Sequence, residues 1–150
     1  IHFWPALRQS TQFRVVGSRP PAGIKSLCAR HSWQLFANVS EARLESLYAE
    51  AHFAVLPFAY GEGSKLKLME ACGRGVPVLA TTAGLRGIAS LPPLVFPTDS
   101  PEEWCRRVRE TRTLEASLID RTIEFARNLS WPRLADRLAD ICRAAPVCSW

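Results

Sequence analysis

The chain has 150 residues, of which 47% are apolar and 22% charged, and this is the composition of a soluble globular protein. No apolar run approaches the length of a membrane-spanning helix. No internal repeat, low-complexity stretch or interdomain linker interrupts the sequence, so we predict one domain over residues 1–150.

The net charge of +5 raises the question of a nucleic-acid or anionic membrane partner. In the last third of the chain, however, Glu102 precedes Arg106 by four residues, and Glu103 precedes Arg107 by the same spacing. Such alternation is typical of a solvated helix face with mixed charge. Neither zinc-finger spacing nor an aromatic–basic ladder is present, so we predict no nucleic-acid partner.

The five cysteines are an odd number and form no C-x-x-C pair. Cys72 and Cys142 fall in helical patterns as small apolar residues, which favours a reducing compartment and predicts a cytoplasmic protein. The histidines, His2, His31 and His52, are not paired with cysteines at ligand spacing, so we predict no metal site.

Apolar runs of strand length alternate with amphipathic segments of helix length. The runs are almost continuously apolar, as expected for strands that are covered on both faces of a sheet. Ser40 is the expected N-cap of the second helix. We predict strands at 12–17, 33–36, 53–57, 76–80 and 94–96, helices at 21–30, 41–51 and 65–74, and a mostly helical remainder from residue 101.

The alternation of strands and helices predicts an α/β fold with a doubly wound, Rossmann-like parallel sheet. Ligands of such sheets bind at the carboxyl ends of the strands. The chain begins without methionine, and its first eight residues have the pattern of the latter part of a helix. We therefore expect a fragment of a longer protein, truncated at the N-terminus of this domain.

The segment after the third strand has the features of a phosphate site. Gly61 and Gly63 allow the backbone to approach an anion, and Ser64 is the expected N-cap of the next helix. Lys65 and Lys67 lie in its first turn, where the helix dipole disfavours cations. An anionic ligand would remove this conflict, so the segment favours phosphate binding.

Two glutamates frame this segment. Glu70 follows about one and a half turns into the helix, where its carboxylate can accept hydrogen bonds from ribose hydroxyls. Glu62 lies between the two glycines. Phosphate and sugar recognition within ten residues indicates a nucleotide-sugar ligand.

The segment resembles the C-terminal, donor-binding half of family-4 glycosyltransferases of the GT-B fold. That family has two glutamates separated by seven residues before a G-x-P-V-V-A-T-like strand, and Glu62, Glu70 and residues 75–81 (GVPVLAT) match this pattern. One branch carries G-x-G-(S/T)-(K/R)-x-K before the second glutamate, as residues 61–67 do. The resemblance extends to residues 13–18, 44–57 and 129–131.

The resemblance implies a retaining enzyme that transfers a hexosyl group from a UDP- or GDP-sugar to an acceptor hydroxyl, without a metal ion or other cofactor. It assigns Glu62 to the hydroxyls of the donor sugar, as the catalytic candidate, and the loop 36–40 to the base. Ala37 replaces the glycine usual in that loop, so the identity of the base stays open. The donor-binding candidates are Gly61, Gly63, Ser64, Lys65, Lys67, Glu70, Asn38 and Val39.

Relatives bind the acceptor mainly through an N-terminal domain that this sequence does not contain, so we expect the chain to be inactive alone. The basic balance is compatible with peripheral membrane contact of the full enzyme. Two alternatives remain: a GT-B-like sugar-nucleotide epimerase and a non-catalytic α/β interaction domain. A dinucleotide-binding Rossmann domain ranks last, because residues 17–20 read GSRP where G-x-G-x-x-G would be needed. The sugar and the acceptor stay open.

Overall fold

The computed structural model describes residues 12–59, 65–111 and 113–144. In these ranges the chain is an α/β protein with parallel strands and a helical last third, which confirms the predicted fold class. The elements in chain order are β1 (Arg14–Gly17), α1 (Ala22–His31), β2 (Gln34–Ala37), α2 (Glu41–Ala49), β3 (Ala54–Leu56), α3 (Leu66–Gly73), β4 (Val78–Ala80), a 3₁₀ turn (Ala83–Leu85), β5 (Val95–Pro97), α4 (Pro101–Glu110), α5 (Ala116–Asn128) and α6 (Trp131–Ala144).

The described residues form two compact units. The first lies within Ile1–Ala51 and Asp99–Arg112, and the second within His52–Thr98 and Thr113–Trp150. The strands divide in the same way: β1 pairs with β2, and β4 lies between β3 and β5. The strands thus pair in two sheets where the sequence predicted one. Apolar runs locate strands, but pairing depends on tertiary packing that periodicity does not encode.

In the first unit, β1 and β2 pair with Val15 opposite Leu35. Helix α2 begins after Ser40, whose hydroxyl accepts a hydrogen bond from the Arg43 backbone N–H at 3.2 Å, so the predicted N-cap is confirmed. Helix α1 ends at His31, and the residue that caps it, Ser32, has a left-handed backbone with φ 55°. That conformation is costly for any residue with a Cβ atom.

In the second unit, β4 is the central strand, and all of Val78–Ala80 is fully buried. Helices α3 and α5 pack against each other. Thr122 of α5 is fully buried, and its hydroxyl donates to the Leu118 carbonyl at 2.8 Å and accepts from the Leu94 backbone N–H at 3.4 Å. This buried hydroxyl of α5 therefore has both a donor and an acceptor partner.

Helix α3 ends in a Schellman motif, which positions the following strand β4. The Gly75 N–H donates to the Cys72 carbonyl and the Val76 N–H to the Ala71 carbonyl, each at 3.0 Å. Gly75 has φ 68°, in the left-handed region that glycine adopts without strain. Val76 and Ala71 are both buried, so the motif also contributes to the core.

The charged face of α4 differs from its prediction in one pair. Glu103 bonds to Arg107 at 3.0 Å, as the spacing predicts, but Arg106 also turns to Glu103, at 2.7 Å. The predicted pair between Glu102 and Arg106 is wrong, because Glu102 instead accepts a hydrogen bond from the Ser100 hydroxyl at 2.7 Å. The hydrogen bond from Arg106 is the main reason that the pKa of Glu103 lies below its ordinary value of 4.5.

Helix α6 has no buried residue among those described. Its apolar side chains are exposed, by 78% at Trp131, 62% at Leu138 and 65% at Ile141. Within the described ranges, none of the helices combines the length and the apolarity that crossing a membrane needs.

Candidate functional site

The predicted phosphate loop connects β3 to α3 in the second unit. Its residues Gly61, Glu62, Gly63 and Ser64 lie outside the described residues, so their roles stay predictions. Both flanks of the loop are described, and they carry the other predicted residues of this segment.

Helix α3 presents the described part of the motif. Leu68, Ala71 and Cys72 bury one face of the helix in the core of the second unit. Burial raises the pKa of the Cys72 thiol to about 11, so this cysteine is a protonated packing residue rather than a nucleophile. Lys67 and Glu70 lie off the buried face, where solvent reaches them.

The start of α3 differs by one residue from the prediction. Leu66 is the first helical residue, and Lys65 holds the N-cap position with φ −86° and ψ 36° and without a side-chain cap. Because the backbone of Lys65 is not yet helical, the N-cap position falls on Lys65 and not on Ser64, so the predicted N-cap is one residue too early. Lys67 is the second helical residue and lies in the first turn, as predicted, where the backbone N–H groups favour an anion.

Lys67 and Glu70 form an ion pair across one turn of α3. The Lys67 Nζ atom lies 3.4 Å from Glu70 Oε2, and the two side chains are 65% and 35% exposed. The carbonyl of Glu70 also accepts a hydrogen bond from Arg74 Nη1 at 2.9 Å. An exposed pair of this kind contributes at most about 1 kcal/mol, so a ligand can separate it at little cost.

The carboxyl ends of β3 and β4 are joined by Thr81. Leu56 and Ala80 are register partners at the ends of these parallel strands. The Thr81 hydroxyl donates to the carbonyl of Phe58 at 2.6 Å and accepts from the backbone N–H of Gly84 at 3.3 Å. The chain that enters the phosphate loop is thus tied to the turn that follows the neighbouring strand.

A second set of loop contacts lies in the first unit, at the carboxyl ends of β1 and β2. The Oδ1 atom of Asn38 accepts hydrogen bonds from the Arg19 backbone N–H at 2.8 Å and the Ser18 hydroxyl at 3.3 Å. Asn38 itself has a left-handed backbone with φ 52°, which asparagine tolerates better than most residues. Ala37 is not among the described residues with positive φ, so the left-handed position in this loop falls on Asn38.

The predicted residues are therefore described in two groups. Lys65, Lys67 and Glu70 lie together at the start of α3 in the second unit. Asn38, which is exposed, and Val39, which is half-buried, lie in the loop after β2 in the first unit. The carbonyl oxygen of the Asn38 side chain is already engaged within its own unit, which leaves its amide N–H groups as the donors for a ligand.

Sequence reasoning expected the loop 81–87 to face the same cleft, but it missed the contacts of Thr81 with Phe58 and Gly84. The motif at 75–81 was recognised as a strand, and its terminal threonine was not given a role of its own. The available signal was a hydroxyl directly after a fully buried strand, where backbone groups of the next loop need partners. Ser18 and Arg19 were missed in the same way.

Comparison with known protein families gives a match over the first three quarters of the chain. The sequence profile of the family described as glycosyl transferases, group 1, matches residues 1–113, which include every candidate residue of both units. Comparison with curated protein sequences finds no match. Because the family profile covers most of the sequence, the chain belongs to the group 1 glycosyl transferases.

Proposed function

We propose that the chain is the donor-binding, C-terminal part of a retaining family-4 glycosyltransferase that uses a UDP- or GDP-sugar. One observation carries the proposal: Lys67 and Glu70 form an exposed ion pair in the first helix after the carboxyl end of β3. Open α/β sheets bind their ligands at this end of the strands. Membership of the group 1 glycosyl transferases supports sugar transfer as the reaction.

The ion pair between Lys67 and Glu70 is suited to exchange its partners for a nucleotide. A diphosphate accepts charge-assisted hydrogen bonds from the Lys67 ammonium, which contribute about 1.5–3 kcal/mol each, and so exceed the value of the exposed pair. Glu70 is an acceptor-only carboxylate, which suits it to hydrogen bonds from the ribose hydroxyls. Each side chain of the pair thus matches a different group of a nucleotide.

The reaction breaks the bond between the anomeric carbon and the leaving phosphate oxygen, and forms a bond from that carbon to the acceptor oxygen. The proton of the acceptor hydroxyl passes to the leaving phosphate on the same face of the sugar, so the configuration is retained. Lys65 and Lys67, with the backbone at Gly61, Gly63 and Ser64, stabilise the charge that develops on the diphosphate. Glu62 orients the donor sugar through its hydroxyls.

A ligand-observed NMR titration of the chain with UDP, GDP and NAD tests the proposal. We expect saturable binding of UDP or GDP, and about tenfold weaker binding for Lys67→Ala and for Glu70→Ala, since each removes one charge-assisted contact. Binding of NAD alone would sink the proposal, and so would nucleotide binding that neither substitution changes.

The second unit offers a matched control for Glu70→Ala. Arg127 and Glu124 form another exposed ion pair with i, i+3 spacing, at 3.5 Å on α5. Glu124→Ala removes a carboxylate of similar exposure from a helix that carries no candidate residue. We expect it to leave the nucleotide affinity unchanged, which separates a site effect from a general change in net charge.

The acceptor side of the reaction belongs to the N-terminal domain of relatives. We therefore propose that these 150 residues bind the donor but do not transfer the sugar. Sugar transfer measured with the purified chain and a panel of acceptors would contradict this part of the proposal. Peripheral membrane contact of the full enzyme stays a prediction from its basic charge.

A further inference from the structure

We infer that Thr81 is a positioning residue of the proposed donor site: its hydroxyl fixes the chain at Phe58, between the end of β3 and the predicted phosphate loop. The inference rests on the proposed function, since it concerns the same loop. It is carried by the contacts of Thr81 with Phe58 and Gly84, which we call the Thr81 bridge.

The Thr81 hydroxyl both donates and accepts in the bridge, and the Gly84 N–H is shared with the Thr81 carbonyl, which accepts it at 3.0 Å. Its single proton is donated to the Phe58 carbonyl at 2.6 Å, and a lone pair accepts the Gly84 N–H at 3.3 Å. The Thr81 backbone N–H also donates to the Leu56 carbonyl at 3.3 Å, which extends the pairing of β3 and β4 by one step. Thr81 is only 9% exposed, so water does not readily replace these contacts.

Close packing reinforces the bridge at Gly84. A Cβ atom at this position would lie 3.1 Å from Phe58 Cδ2 and 3.3 Å from Thr81 Oγ1. Glycine therefore lets the 3₁₀ turn approach both the Phe58 ring and the threonine hydroxyl. The ring is still 43% exposed, so this contact alone leaves it room to move, and the hydroxyl supplies the directional restraint.

The position of the bridge gives it a functional rather than a purely structural consequence. Phe58 precedes by a few residues the glycines and Glu62, which the proposed function assigns to the donor. A binding loop needs its ends fixed by neighbouring groups, because small displacements of the contacting atoms lower affinity and rate. Loss of the Thr81 hydroxyl should therefore weaken nucleotide binding more than it weakens the fold.

The test is a UDP and GDP titration of the whole chain carrying Thr81→Val, Thr81→Ser or Thr122→Val. Thr81→Val keeps the shape and removes the hydroxyl, and we expect about tenfold weaker binding. Thr81→Ser keeps the hydroxyl, and we expect affinity close to that of the parent chain. Thr122→Val is the matched control, because Thr122 is buried in the same unit and also donates to a carbonyl and accepts from a backbone N–H.

The outcomes separate this inference from the proposed function. No binding of UDP or GDP by the parent chain refutes the proposed function, and this inference with it. Binding that Thr81→Val leaves unchanged overturns the inference alone. Equal losses in Thr81→Val and Thr122→Val, or no rescue by Thr81→Ser, also overturn it, because they indicate a general loss of stability or of methyl packing.

A second variant covers the case in which Thr81→Val fails to fold. Gly84→Ala keeps the hydroxyl but inserts the Cβ atom that would crowd Phe58 and Thr81. We expect it to weaken nucleotide binding severalfold while the chain stays folded, as judged by the dispersion of its amide resonances. A folded Gly84→Ala chain with parental affinity would count against the bridge.

Discussion

Gly75 provides the most demanding test of how the second unit is packed. In Gly75→Ala, the new Cβ atom would lie 2.6 Å from the Cγ2 atom of Ile119 and 3.4 Å from the Cδ1 atom of Ile123, both in α5. The backbone at Gly75 also has φ 68°, which an alanine adopts only with strain. Two separate costs therefore fall on one substitution.

The two costs can be estimated separately. The left-handed backbone costs a residue with a Cβ atom about 1–2 kcal/mol, and overpacking by one methyl group costs about 1–3 kcal/mol. The smaller entropy of the unfolded alanine chain returns about 0.4–1 kcal/mol. We therefore expect Gly75→Ala to lower the free energy of unfolding by about 1–5 kcal/mol, which is a large share of the stability of a typical domain.

Two further glycines of the same unit separate the contributions. Gly87 has φ 85° with no atom within 4 Å of a new Cβ atom, so Gly87→Ala carries the backbone cost alone. Gly73 lies in α3 at ordinary distance, 3.8 Å, from the Ala126 Cβ atom and has no positive φ, so Gly73→Ala should be neutral or stabilising by up to about 1 kcal/mol.

Urea unfolding followed by far-ultraviolet circular dichroism measures the series. We expect the midpoints to fall in the order Gly73→Ala, parent chain, Gly87→Ala, Gly75→Ala. If Gly75→Ala and Gly87→Ala were equally stable, Ile119 would not pack against the end of α3 as described. If Gly75→Ala matched the parent chain, the left-handed turn itself would be refuted.

Three further predictions concern residues outside the donor site. Ser32→Gly should raise the free energy of unfolding by up to about 1 kcal/mol, because Ser32 has φ 55°; an unchanged urea midpoint would contradict this. Arg106 lowers the pKa of Glu103, so the stability that this carboxylate contributes is present above about pH 4.5 and is lost as the pH falls through its folded-state pKa. Glu103→Gln should remove that part of the acid dependence of the free energy of unfolding. An identical dependence of stability on pH in the parent chain and the variant would contradict this. Burial raises the pKa of Cys72 to about 11, whereas Cys142 is exposed. Iodoacetamide at pH 8 should therefore label Cys142 in the native chain and Cys72 only after unfolding. Rapid labelling of Cys72 in the native chain, detected by peptide mass spectrometry, would show that α3 is not packed as described.

The secondary structure was predictable because its signals are local. Every strand and helix predicted from residue 12 onward overlaps an observed element, since apolar runs, Ser40 and the glycines near the ends of α3 act within a few residues, whereas the helix pattern of residues 1–8 lies outside the described residues. The pairing of five strands in two sheets was not predictable, because it depends on which faces meet after the helices have packed. The side-chain partner of Glu102 is a similar case: a nearby hydroxyl competes with the helical i, i+4 partner.

The candidate site was predictable in its location and less so in its contacts. The order of a strand, a glycine loop and a helix was sufficient to predict that Lys67 and Glu70 lie in the helix that follows β3; that a ligand binds there stays a prediction. Their mutual ion pair follows from the i, i+3 spacing, but it was overlooked because each residue had been assigned to a ligand group. Asn38 was assigned to the base, and its engagement with Ser18 and Arg19 depends on a left-handed turn that the sequence does not specify.

In both sheets, a polar side chain at the end of one strand holds the loop that follows the neighbouring strand. In the first unit the side chain of Asn38 holds the loop after β1, and in the second the side chain of Thr81 holds the loop after β3. In each case a polar residue at the end of one parallel strand bonds to backbone atoms beyond the end of its neighbour. The backbone of such loops lacks the hydrogen bonds that pair the strands. A short polar side chain can supply these bonds, because it is small enough to leave space for a ligand. The residues that directly follow those strands, Asn38 and Thr81, are therefore the places where the geometry of these loops is set.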